Sequence, residues 1–90
     1  MIILKSFFEP EFKKYSKKLP SDIRKKAEKA FKNLQESFSR GLNLEKIKGH
    51  DTLYSIRIDD NYRALGHKLD DTVYWHWIGP HDEYERRIRN

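Results

Sequence analysis

The apolar residues of this 90-residue chain change their period once, and that change decides what it can fold into. From Ile23 they fall at Ile23, Ala27, Ala30, Phe31, Leu34 and Phe38, a stripe with the 3.6-residue repeat of an amphipathic helix. The opposite face of that helix carries Lys25, Lys26, Lys29 and Lys32, and Gly41 after Arg40 is its expected stop. Beyond Gly41 the helical repeat is gone. Leu42, Leu44 and Ile47 lead to Gly49, after which Leu53 to Asp59, Tyr62 to Leu69 and Thr72 to Gly79 read as strands. Asp59, Asp60 and Asn61 supply one turn and Asp70 with Asp71 the next. Helices first and a meander of strands after them make an α+β domain.

The ends complete the pattern. Ile2, Ile3 and Leu4 with Phe7 and Phe8 form a short apolar opening, an edge or second strand. Pro10 suits the first turn of a helix expected from Glu9 to Lys18. The tail His81 to Ile88 has the composition of a short helix, with Asp82 as its cap and Glu85 three residues on. The expectation is a single domain, residues 1–90, with a four- to five-stranded antiparallel sheet, two N-terminal helices on one face and a short C-terminal helix.

Composition excludes several function classes. There is no cysteine, hence no disulfide, thiolate metal site or cysteine nucleophile. His50, His67 and His76 are scattered without ligand spacing, so neither metal nor cofactor is expected. The longest apolar run, Met1 to Leu4, is too short for a membrane span or a secretory leader, and the expected location is the cytosol. Trp75 and Trp77, two apart on one strand, are expected on a shared face as core or partner-contact residues. Charge is uneven. Residues 1–50 carry 13 Lys and Arg against 6 Asp and Glu, whereas residues 51–90 carry 6 against 8. A basic half favours a polyanionic partner.

In the central hairpin, Tyr54, Ile56 and Ile58 alternate with Ser55, Arg57 and Asp59, so the aliphatic set faces the helices and Arg57 the other side. A three-residue loop, Asp59 to Asn61, pairs Ile58 with Tyr62 and sets Arg57 opposite Arg63. A two-residue Asp60-Asn61 turn puts Arg63 on the core face instead, which the cost of burying charge opposes. Two opposed arginines repel unless something negative lies between them. They read as an anion site, or else as ion pairs with Asp59 or Glu45.

The order of elements, with the segments "LEKIKG", "YSIRIDDNYR" and "WIGPHDEYERRI", resembles the RelE/ParE superfamily of bacterial toxins from toxin–antitoxin pairs, over nearly the whole chain. The resemblance implies a RelE-like fold and a cognate antitoxin that wraps the domain. It implies one of two activities: metal-independent cleavage of messenger RNA on the ribosome, or non-catalytic poisoning of DNA gyrase. An inert remnant that only binds its antitoxin is a third reading.

For the ribonuclease, the resemblance assigns Arg63 to the scissile phosphate, Arg57 to a basic position on the preceding strand and Glu45 to the general base. It assigns His81 to the general acid and Tyr84 to stacking on or orienting the substrate. Ser55 departs from members that carry a catalytic lysine there, which argues against a lysine-based mechanism. Lys25, Lys26, Lys29, Lys32, Lys46 and Lys48 are the residues expected to meet RNA phosphates.

Overall fold

The computed structural model describes residues 4–36 and 44–89. The chain runs β1 (Lys5–Phe8), α1 (Pro10–Ser16), α2 (Ser21–Glu36), β2 (Leu44–Lys46), β3 (Leu53–Asp59), β4 (Tyr62–Leu69), β5 (Thr72–Pro80) and α3 (His81–Ile88). Ile2, Ile3, Phe38, the Gly41 stop and Leu42 lie outside the described residues.

Local chemistry accounts for the boundaries. Pro10 opens α1 with its φ already helical and no amide to leave unpaired, Glu9 being the cap residue. The α2 helix begins at Ser21, earlier than its apolar stripe, because the Pro20 carbonyl accepts from the amides of Ile23 and Arg24. At α3 the expected Asp82 cap is corrected: Pro80 is the cap residue and makes no side-chain cap bond. Asp82 and Glu83 lie instead in the first turn, where carboxylates meet the positive end of the helix dipole.

The strands form one sheet in the order β1-β5-β4-β3-β2. The expected antiparallel pairing holds from β2 to β5. The edge strand β1 differs, pairing parallel with β5 from Lys5↔Thr72 to Phe8↔Trp75, so the sheet is mixed. The connection allows a parallel pair: the chain comes back beside β1 only at β5, after two helices and the rest of the meander, long enough for the crossover a parallel pair needs.

Both sides of the sheet are covered. On one, Phe12 of α1 and Ile23, Ala27, Phe31 and Leu34 of α2 pack on Ile56, Ala64, Val73, Trp75 and Ile78. On the other, α3 lays Tyr84 and Ile88 over Leu53, Leu65 and Trp77. Trp75 and Trp77 therefore do not share a face. Leu65 pairs with Trp77 and Gly66 with Trp75, leaving His76 as an extra residue in β5. Such a bulge reverses the alternation, sending Trp75 to the α2 side and Trp77 beneath α3, each fully buried.

Among the described residues no helix is long and apolar enough to cross a membrane.

Candidate active site

A second bulge builds the arginine pair. Asp59 pairs with Tyr62, so the turn is the two-residue Asp60-Asn61 form and Ile58 does not pair with Tyr62. Ile58 is instead the extra residue, and Arg57 still lies opposite Arg63. A longer loop and a tight turn with a bulge insert the same one residue, which is why the expected opposition survives the corrected turn. The Asp59 carboxylate fastens the turn by accepting from the Asn61 amide at 2.9 Å and from Lys26 Nζ at 3.3 Å. Burial pushes the Asp59 carboxyl up, but the Asn61 amide, Lys26 and the Tyr62 amide together outweigh it and hold the group below its ordinary value.

Three adjacent strands turn their chemistry to the α3 side. Glu45 on β2 pairs with Ser55 on β3; two residues along β3 is Arg57, opposite Arg63 on β4, which in turn faces Gly79 on β5. Directly opposed side chains start roughly 5 Å apart and diagonal ones, as Glu45 is to Arg57, roughly 7–8 Å. Glu45 and Arg57 are exposed, and Arg63 is half-buried. Arg57 does not pair with Asp59 or Glu45 but with the Asp60 carboxylate of the turn. Arg63 donates to the carbonyls of Asp59 at 2.5 Å and Tyr62 at 3.0 Å. The two cations are thus held apart by turn atoms, and both open toward solvent at one end of the hairpin.

Helix α3 starts beside this end, because the His81 amide donates to the Asn61 carbonyl at 2.8 Å. The His81 Nε2 lies 3.2 Å from Glu85, and its ring centroid is 5.6 Å from that of Tyr84. Tyr84 is 8% exposed, too buried for a base to stack upon. Its hydroxyl donates to Ser55 Oγ at 3.4 Å. The structure therefore brings Glu45, Arg57, Arg63, His81 and Tyr84 to one side of the sheet.

The lysines are elsewhere. Lys25, Lys26, Lys29 and Lys32 are exposed on α2, in the layer behind the sheet. Lys46, neighbour to Glu45, takes the α2 side by alternation, and Lys48 is exposed in the β2–β3 connection. Between α1 and α2 runs an open groove of about 650 Å³ lined by Phe8, Phe12 and Phe31, with four cations, Lys13, Lys17, Arg24 and Lys32, against one carboxylate, Glu28. His67 and His76, read as scattered, in fact stack with centroids 5.1 Å apart, and Thr52 Oγ1 lies 2.9 Å from His67 Nδ1. Among the described residues no group of three or more His, Cys, Asp or Glu is placed to hold a metal ion.

Sequence reasoning missed Asp60 as the partner of Arg57 and Arg87 as an anchor of α3. The i, i+3 spacing of Tyr84 and Arg87 was the available signal for the second, since it puts both on the sheet-facing side of the helix.

The sequence model of the ParE-like toxin domain matches residues 21–86. Among curated proteins none matches. Of solved structures, the RelB–RelE antitoxin–toxin complex of Methanococcus jannaschii is 27% identical over 88% of this chain and 94% of that one, with a TM-score of 0.71. A double mutant of the E. coli toxin RelE in the free state is 21% identical over 98% and 97%, with a TM-score of 0.71. The YoeB dimer of Staphylococcus aureus is 22% identical over 82% and 92%, with a TM-score of 0.61. With a mixed five-stranded sheet between an N-terminal helix pair and a C-terminal helix, and a family match over most of its length, the chain belongs to the ParE-like toxin domains of the RelE/ParE superfamily.

Proposed function

We propose that this toxin cleaves messenger RNA on the ribosome by attack of a ribose 2′-hydroxyl on the adjacent phosphate. Glu45 takes the 2′-hydroxyl proton as the oxygen–phosphorus bond forms. Arg57 and Arg63 stabilise charge on the phosphoryl oxygens, the planar forks suiting two oxygens at once. His81 as imidazolium gives its proton to the 5′-oxygen as the phosphorus–oxygen bond breaks, leaving a 2′,3′-cyclic phosphate and a 5′-hydroxyl. Tyr84 orients this end of the site through Ser55. The observation that carries the reading is Arg57 opposite Arg63 on the face that also bears Glu45 and His81.

Glu45 and Arg57 are open to solvent and Arg63 half so, and a flexible strand laid across them has nothing among the described residues to hold it in line for attack. The ribosome supplies that positioning, and the lysines of α2 with Lys46 and Lys48 meet ribosomal RNA phosphates without sequence preference. The partner that neutralises the toxin is a cognate antitoxin. The groove between α1 and α2, lined by apolar rings and net basic, suits an acidic amphipathic segment of it.

Mapping message ends on programmed ribosomes beside the same RNA free in solution tests the reading. Cuts on the ribosome and none on naked RNA are expected, and efficient cleavage of free RNA by the purified chain would overturn ribosome dependence. The match to ParE-like domains keeps one rival, a non-catalytic gyrase poison. It predicts gyrase–DNA adducts and DNA damage in induced cells before any loss of translation.

A further inference from the structure

We propose that Arg87 is a positioning residue for this site: its guanidinium, packed against the rings of both Tyr15 and Trp77, locks helix α3 in the placement that sets Glu85 and Tyr84 beside the His81 ring. The activity arm of this proposal rests on the reading above, and the structural arm does not.

The guanidinium carbon lies 5.1 Å from the Tyr15 ring centroid and 4.9 Å from that of Trp77. One Nη donates to Tyr15 Oη at 3.0 Å. Nε is buried and has no hydrogen-bond partner among the described residues, so the rings and the phenol set the orientation of the fork. Tyr15 and Trp77 themselves meet edge to face at 6.4 Å. A single side chain therefore fastens α1, β5 and α3 together.

The α3 helix needs such a fastening. At 8 residues, with no side-chain cap bond at its start, it has little stability of its own. Its apolar grip is Tyr84 over Leu53, Leu65 and Trp77, with Ile88 beside them. Its first residue is already tied, since the His81 amide donates to the Asn61 carbonyl, so the freedom left is a swing of the C-terminal half, which would shift Glu85, 3.2 Å from the His81 ring, and Tyr84 beside it. Arg87, one turn beyond Tyr84 on the same side, removes that freedom. A lysine has no planar fork to pack against two rings and reach the Tyr15 hydroxyl at once, and an apolar chain fills the space without fixing an angle.

The test uses the full chain with Arg87→Ala, Arg87→Met and Arg87→Lys, each alone and with His81→Ala. Amide hydrogen exchange should show α3 opening roughly tenfold more often in the Ala and Met variants, with the amides of β3, β4 and β5 unchanged. Single-turnover cleavage on ribosomes should fall roughly 10- to 100-fold at saturating toxin, while ribosome binding stays within about twofold. In the His81→Ala background, Arg87→Ala should cost nothing more, because the ring that this placement serves is gone.

Unchanged exchange in α3, or losses that add in the double variant, would overturn the proposal. So would full activity with Met at this position, since packing alone would then suffice. If Arg87→Ala fails to fold, the Met variant, which keeps the volume, decides by the same measurements. A wild-type chain that leaves messages uncut on ribosomes overturns the ribonuclease reading instead, and the exchange result then decides the clamp.

Discussion

At the scale of single residues, Arg63 and His76 give the sharpest expectations. On the proposed mechanism the Arg63 fork meets phosphoryl charge in the transition state that the ground state lacks, so its loss should act on turnover more than on binding. Arg63→Ala should abolish toxicity and single-turnover cleavage while ribosome affinity is kept, and Lys should rescue only in part for want of the fork. Its hydrogen bonds to the Asp59 and Tyr62 carbonyls are also removed, at roughly 0.5–1.5 kcal/mol each, and relief of repulsion from Arg57 offsets some of this. The melting temperature should drop by a few degrees, and a variant that is inactive because it is unfolded would remove Arg63 from the mechanism. The imidazole of His76 is held below its ordinary value by burial, then by His67, with Arg87 adding to the effect and Glu11 and Glu9 opposing it. The unfolded chain consequently protonates here first, as pH falls through about 6.5. Stability is full above that pH and declines below it until the folded imidazole also takes a proton. Melting curves between about pH 5 and 8 should show this decline, and His76→Gln should flatten it relative to wild type. Parallel curves for the two proteins would count against the assignment.

At the scale of elements, the two bulges separate what the sequence displays from what it hides. The helical stripe from Ile23, the three strands after Gly49 and the outward face of Arg57 are all legible, because each rests on a local period. Parity along a strand is trustworthy until a residue is inserted. The extra Ile58 left Arg57 opposite Arg63 because the turn shortened to compensate, whereas the extra His76 had no compensation and moved Trp77 to the opposite core. No side-chain pattern announces such an insertion, but the glycine facing it is a trace. A Cβ on Gly66 would stand 2.8 Å from both the Trp75 ring and Val73, and 2.9 Å from the Tyr74 carbonyl oxygen. Gly66→Ala should therefore cost roughly 1–3 kcal/mol. In a domain of this size each of those kcal/mol lowers the melting temperature by about 4–8 °C. A variant melting with wild type would mean that the bulge is not packed this closely. The partners of Arg87 and Asp60 were illegible for another reason. Arg87 reaches Tyr15 across 72 positions, and Asp60 meets Arg57 only once the turn has closed.

At the scale of the whole molecule, the sheet separates two kinds of positive charge. The arginine pair and its neighbours lie on the α3 side, and the lysines of α2 lie in the layer behind, so binding and chemistry should be separable by mutation. The choice of lysine matters. Lys26 is tied to Asp59 at 3.3 Å, and altering it would disturb the turn that presents Arg57 and Arg63. Lys25 and Lys29 are exposed on α2 and clear of that complication. The double change Lys25→Glu with Lys29→Glu should leave the melting curve nearly unchanged, since neither side chain enters the core. It should weaken ribosome association and lower the slope of log affinity against log salt by about one unit for each phosphate that is no longer neutralised. Once the variant is bound at saturating concentration, its single-turnover cleavage should match wild type, because the α2 layer holds none of the groups proposed to act at the scissile phosphate. Binding titrations across salt, followed by the cleavage time course, decide the matter. An unchanged salt slope would make these lysines plain surface solvation, and a slowed chemical step with binding intact would mean that the two faces of the sheet do not act separately.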